Sequence, residues 1–93
     1  MGLRILLVDD HEVVRVGVRA LIERQPGMEV VGEAGTVLEA VTQAEQLAPD
    51  VVVLDIRMPG GSGLEACKQI KALRPDTRII VLTSYPDDQI LFD

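Results

Sequence analysis

Leu3-Arg4-Ile5-Leu6-Leu7-Val8-Asp9-Asp10, residues 3–10, is a strand-length apolar run that is broken only by Arg4 and ends in two carboxylates. A continuous run of this kind suits a parallel strand covered on both faces. Val51 to Leu54 and Ile79 to Leu82 read the same way, and the first of these is also followed by a carboxylate, Asp55. A weaker run from Glu29 to Ala34, acidic near its ends and carrying Gly32, reads as an edge strand.

Helical patterns separate the runs. After Asp10, the residues Val13, Val14, Gly17, Val18, Leu21 and Ile22 form an apolar stripe at helical spacing, stopped by Pro26-Gly27. Thr36-Val37-Leu38-Glu39 and Ser62-Gly63-Leu64-Glu65 are capping boxes, each followed by an apolar stripe and closed by Pro49 and Pro75. Pro86 with Asp87 and Asp88 reads as the first turn of a fourth helix, since proline is tolerated there and acids favour the dipole. The order β-α-β-α-β-α-β-(α) predicts an α/β fold with a parallel sheet and right-handed crossovers. A helix opening at Pro86 has only about two turns before Asp93, so the chain is expected to be incomplete at that end.

Ninety-three residues form one domain at most. Forty-seven per cent are hydrophobic, but Tyr85 and Phe92 are the only aromatics, so Val, Leu, Ile and Ala must build the core. The net charge of −6 and the lack of a basic stretch argue against direct contact of this segment with nucleic acid. The single cysteine, Cys67, cannot form an internal disulfide, which fits a reducing compartment. No apolar run reaches the roughly 20 residues that span a bilayer, and no cleavable leader opens the chain. A soluble, acidic, cytoplasmic domain without membrane contact is expected.

In an open parallel sheet, function gathers at the carboxyl ends of the strands, near the point where strand order reverses. The first strand ends in Asp9-Asp10, the third in Asp55 and the fourth in Thr83-Ser84; the second, ending in Ala34-Gly35, offers no chemistry. If strands one and three are neighbours, their ends lie roughly 5 Å apart. Carboxylates so close must either take up a proton or hold a cation. A cluster of hard oxygen ligands with room for water favours Mg2+. A carboxylate beside such an ion can attack phosphorus, and the Thr83 hydroxyl could bond a phosphoryl oxygen.

Taken together, Leu6-Leu7-Val8-Asp9-Asp10-His11-Glu12, Val52-Val53-Leu54-Asp55-Ile56-Arg57-Met58-Pro59 with Gly63-Leu64-Glu65, and Val81-Leu82-Thr83-Ser84-Tyr85 resemble a response-regulator receiver domain. The Asp-Asp-His opening and Val30-Val31-Gly32-Glu33-Ala34 resemble the subfamily whose receivers precede a NarL/FixJ (LuxR-type) helix-turn-helix. The resemblance covers the whole chain. It implies a doubly wound, flavodoxin-like sheet in order 2-1-3-4-5, here without its fifth strand. It also implies a phosphoacceptor at Asp55, Mg2+ bound directly by Asp10 and through water by Asp9, and a further ligand in the backbone carbonyl of Arg57. Thr83 would be the switch hydroxyl, while Arg57 and Tyr85 flank the site and tune phosphoryl lifetime. A histidine kinase would supply the phosphoryl group, and a homodimer on activation would drive a DNA-binding output beyond residue 93. The domain would act only in its own phosphotransfer and dephosphorylation, not as an enzyme on other substrates. The family's lysine, at the end of the missing fifth strand, has no counterpart: Lys68 and Lys71 belong to the third helix. Without it the chain is expected to signal poorly, and the fourth strand is expected to present an exposed apolar edge.

Other readings are weaker. Asp10 can cap the first helix as well as bind metal, His11 reads as a surface residue at the start of that helix, and Cys67 reads as a packing thiol. Tyr85 reads equally as a switch aromatic or as surface packing. Gly60-Gly61-Ser62-Gly63 lacks the lysine and the spacing of a nucleotide loop. An aspartyl phosphatase would want Asp-x-Asp on the first strand and a substrate-binding cap, both missing here. A receiver used purely as an interaction module would not need Asp9, Asp10, Asp55 and Thr83 together.

Overall fold

The computed structural model describes residues 2–55, 57–58, 61–82 and 90–92. Strand β1 (Leu3–Val8), helix α1 (Glu12–Glu23), β2 (Met28–Ala34), α2 (Val37–Leu47) and β3 (Val51–Asp55) alternate as the sequence implies. Two short antiparallel strands, β4 (Arg57–Met58) and β5 (Gly61–Ser62), precede α3 (Gly63–Leu73). Strands β6 (Arg78–Leu82) and β7 (Ile90–Phe92) follow. The main sheet runs β2-β1-β3-β6-β7, and its first four strands are parallel. The doubly wound order expected from the sequence is present, and β2 stands at the edge.

The side-chain period of two divides the strands between two unequal cores. Leu6, Val8, Val52, Leu54, Ile79 and Val81 point to one face and are buried beneath α2 and α3. Ala40, Ala44, Ala66, Cys67 and Ile70 complete that layer, so Cys67 is the packing thiol its stripe position suggested. The small alanines let two helices lie close to the sheet. Each fully buried Leu or Ile here contributes about 1.5–3 kcal/mol. Among the described residues the other face holds only Ile5, Leu7 and Val30 as buried residues, with Val18 and Ile22 of α1 against them. No residue of α1 is buried, and Val13 and Leu21 are 84% and 62% exposed. The expected burial of both faces is thus met on one side and halved on the other. Over Val51, Val53, Ile80 and Leu82, no second helix joins α1 among the described residues, and these side chains stay partly exposed.

Two further expectations need correction. The fourth strand is not a bare edge, because β7 pairs with β6 in antiparallel register, Leu82 with Ile90 and Ile80 with Phe92. A parallel return needs a crossover of about a dozen residues or more, and the stretch from 83 to 89 allows only an antiparallel one. The helix expected to run on from Pro86 therefore does not extend through Ile90–Phe92, which pairs with the open backbone ladder of β6 instead. Pro86, Asp87 and Asp88 lie outside the described residues.

The end of the sheet opposite the strand carboxyl termini is laced by hydrogen bonds. The Arg4 amide donates to Asp50 Oδ2 at 2.8 Å, the Asp50 amide to the Arg4 carbonyl at 2.8 Å, and the Arg78 amide to the Asp50 carbonyl at 3.0 Å. Arg4 Nη1 also donates to the Leu47 and Ala48 carbonyls, which explains a cation inside an apolar strand: it satisfies carbonyls left over at the end of α2. The buried Thr77 hydroxyl donates to the Pro49 carbonyl at 2.8 Å. Ala48 closes α2 with φ +46°, in the left-handed region that disfavours a Cβ. Ala48→Gly is expected to raise the urea-unfolding free energy by about 0.5–1 kcal/mol. An unchanged midpoint would show that the strain is already relieved.

Candidate functional site: a carboxylate cluster at the strand ends

The strand order reverses between β1 and β3, whose register pairs Val8 with Leu54. The next residue on each strand, Asp9 and Asp55, therefore emerges at the same end of the sheet. Asp9, Asp10, His11 and Asp55 each offer a ligand atom, and these atoms lie within 4.8 Å of one another. The set grades from inside to outside: the Asp9 side chain is 14% exposed, Asp10 27% and His11 65%. Three carboxylates and one imidazole form a mostly hard, anionic donor set, which fits a divalent cation such as Mg2+ far better than a soft metal. The sequence prediction for Asp9, Asp10 and Asp55 as a cluster is met in space.

Local structure departs from expectation at α1. The N-cap is His11, without a side-chain cap bond, so Asp10 does not cap the helix. Instead Asp9 Oδ1 accepts from the His11 amide at 2.8 Å, a short turn made by the aspartate itself. His11 is at the surface as read, yet its Nδ1 lies 3.1 Å from Asp9 Oδ1 and 3.0 Å from Asp10 Oδ1. At α2 the capping box forms in a variant way: the Glu39 amide donates to Thr36 Oγ1 at 3.1 Å, while Glu39 Oε1 accepts from the Gly35 amide at 3.0 Å and from the Thr36 hydroxyl at 3.4 Å.

Strand β6 is described as far as Leu82, the register partner of Asp55. Thr83, Ser84 and Tyr85 lie outside the described residues. Arg57 sits in β4, paired with Ser62.

Sequence reading missed what surrounds Asp9. The end of β2, which seemed to offer no chemistry, supplies Glu33, and α1 supplies Arg15 and Arg19. Arg15 Nε donates to Glu33 Oε1 at 3.1 Å, Arg19 Nη1 to Glu33 Oε2 at 2.7 Å, and Arg15 Nη1 to the Asp9 carbonyl. The Arg19 guanidinium, ahead of Arg15, holds the Glu33 carboxyl below its usual range against the opposing effect of burial. A charged residue at the carboxyl end of an edge strand was the available signal.

A doubly wound α/β sheet in this order, with acids gathered at its switch point, places its candidate site where such folds bind their ligands. Residues 5–92 match the response regulator receiver domain family, and the chain belongs to that family. It is 47% identical over 90 residues to the DNA-binding transcriptional activator DevR/DosR of Mycobacterium tuberculosis, covering 97% of this chain and 42% of that protein. It is 49% identical over 90 residues to the transcriptional regulatory protein LiaR of Bacillus subtilis, covering 97% of this chain and 43% of that one. A crystal structure of a LuxR-family two-component response regulator from Aurantimonas superposes with a TM-score of 0.87 at 44% identity, over 91% of this chain and 61% of that one. The chain spans less than half the length of these curated relatives. It is a receiver domain of two-component signal transduction, of the kind found in transcriptional regulators. No helix among the described residues is long and apolar enough to cross a membrane.

Proposed function

We propose that the chain is a phosphorylation switch in which Asp55 accepts a phosphoryl group from a histidine kinase. The observation that carries this is the convergence of Asp9, Asp10 and Asp55 within 4.8 Å at the paired ends of β1 and β3. A carboxylate oxygen of Asp55 attacks phosphorus, the P–N bond of the donor phosphohistidine breaks, and the leaving imidazole keeps the electron pair and takes a proton. Asp9, Asp10 and Asp55, with the Arg57 carbonyl, are the groups that would hold Mg2+. When bound, that ion offsets repulsion between nucleophile and donor and spreads charge on the transferring group. Asp9 and Asp10 keep a focused negative field at the site, and Thr83 would bond the newly attached phosphoryl group. The domain acts on no other substrate. It works in the cytoplasm, and phosphorylation favours a homodimer that positions a DNA-binding domain carried elsewhere in the gene product. The support for that output is the kinship with transcriptional regulators.

The test is the intact mass of the gene product that carries this chain, incubated with acetyl phosphate with and without Mg2+. One added phosphoryl group, formed only with Mg2+, is the expected result. No adduct under any condition would leave an interaction module in place of a switch.

A further inference from the structure

We infer that Arg15 is a positioning residue for the metal-binding carboxylates, acting through the peptide that joins Asp9 to Asp10; the inference rests on the metal site proposed above. That peptide is the one piece of backbone on which both aspartates depend. Its Asp9 carbonyl accepts from Arg15 Nη1, while the Asp9 amide donates to the Ala34 carbonyl at 3.0 Å and Asp9 Oδ1 accepts from the His11 amide at 2.8 Å. Asp9 is thus held at its amide, its carbonyl and its side chain. Asp10 follows on the far side of the same peptide plane, so rotating that plane swings the Asp10 carboxylate away from Asp55.

Arg15 is itself held. Its side chain is 18% exposed, and Nε donates to Glu33 at 3.1 Å. Glu33 is fixed in turn by Arg19 at 2.7 Å, and its backbone carbonyl accepts from Gln43 Nε2 at 2.6 Å. The guanidinium fork suits this task because it bonds two acceptors in one rigid plane. Gly35 leaves room for it: a Cβ there would stand 3.3 Å from Arg15 Nη1 and 3.8 Å from the Asp9 carbonyl oxygen. The Glu33 carboxylate also offsets the charge of Arg15, which would otherwise oppose a cation entering beside Asp9.

Charge and positioning predict opposite signs. If Arg15 mattered only as a nearby cation, removing it would tighten Mg2+ binding. As a positioning residue, its removal weakens binding. Groups behind metal ligands typically carry about 10–100-fold in affinity, and the lower end suits a backbone contact.

The experiment is calorimetric titration of the gene product with MgCl2, for wild type, Arg15→Ala, Arg15→Lys and Arg24→Ala. Arg15→Ala is expected to weaken Mg2+ binding about ten-fold. Arg15→Lys keeps the charge and also binds more weakly, since one ammonium cannot hold the carbonyl and Glu33 as the fork does. Arg24→Ala, at the exposed far end of α1 and outside the Arg15–Glu33–Arg19 contacts, stays within about two-fold, as a screened surface charge should. In acetyl phosphate kinetics, the Mg2+ concentration for half-maximal rate rises by the same factor, while the rate at saturating Mg2+ returns to the wild-type level. Should Arg15→Ala fail to fold, Arg15→Lys carries the comparison. Equal or tighter Mg2+ binding by folded Arg15 variants overturns the inference. Absence of Mg2+ binding by wild type overturns the metal site itself, a different outcome.

Discussion

Asp55→Asn is expected to take up no phosphoryl group from acetyl phosphate, in an intact-mass assay where wild type gains one. The amide is nearly the same size as the carboxylate, so the pairing of β3 with β1 and β6 should survive. What disappears is the nucleophile: an amide oxygen carries no full negative charge and forms no acyl phosphate at a useful rate. The effect is therefore a loss below detection, not a partial slowing. Asp50→Asn is the matched control, because Asp50 lies at the opposite end of the sheet, bonded to the Arg4 amide. An adduct that persists in Asp55→Asn and maps to Asp9 or Asp10 would reassign the acceptor within the same cluster.

The second large effect concerns the metal. The double variant Asp9→Asn/Asp10→Asn is expected to lose Mg2+ binding by at least about 100-fold, since two of three charged ligands become neutral. Stability gives an independent reading. At a Mg2+ concentration of about 100 Kd, wild type should gain roughly 2.7 kcal/mol against urea. The double variant should gain no more than about 0.4 kcal/mol. Without Mg2+ the order reverses, because the variant no longer holds mutually repelling carboxylates within 4.8 Å. Equal stabilisation of both proteins by Mg2+ would place the ion elsewhere.

Much of this was legible before any coordinates. The runs leading to Asp9-Asp10 and Asp55 are apolar and strand-length, so strand length and parallel pairing follow from local chemistry, and the carboxylates fall at the carboxyl ends of β1 and β3. The Thr36 cap is also local, and its oxygen meets the Glu39 amide as the spacing requires. Illegible features depend on how distant pieces meet. Arg15 and Glu33 are 18 residues apart, and their pairing is decided by the angle at which α1 crosses β2. The apolar stripe on α1 announces a helix but not whether a neighbouring helix covers the adjoining sheet, and here Val13 and Leu21 remain outside. Pro86 with its two acids read as a helix start, yet open hydrogen-bonding groups on β6 take up Ile90–Phe92 as a strand. Asp10 read as a cap because its side chain could reach amides in the first turn, whereas Asp9 reached the His11 amide first.

The lacing of Arg4, Asp50 and Arg78 gives the domain a clamped pole and a free one. Three adjacent strands are stitched together where they begin, through the Asp50 amide, carbonyl and carboxylate. Any rearrangement driven by new charge at Asp55 must pivot about those stitches, as the ribs of a fan turn about its rivet. Small rotations at the base become the largest displacements at the tips, where β1 and β3 present Asp9 and Asp55. A signal written at the acidic end would therefore be felt as movement of the strand tips and of the start of α1, with the sheet serving as the stiff frame against which they move.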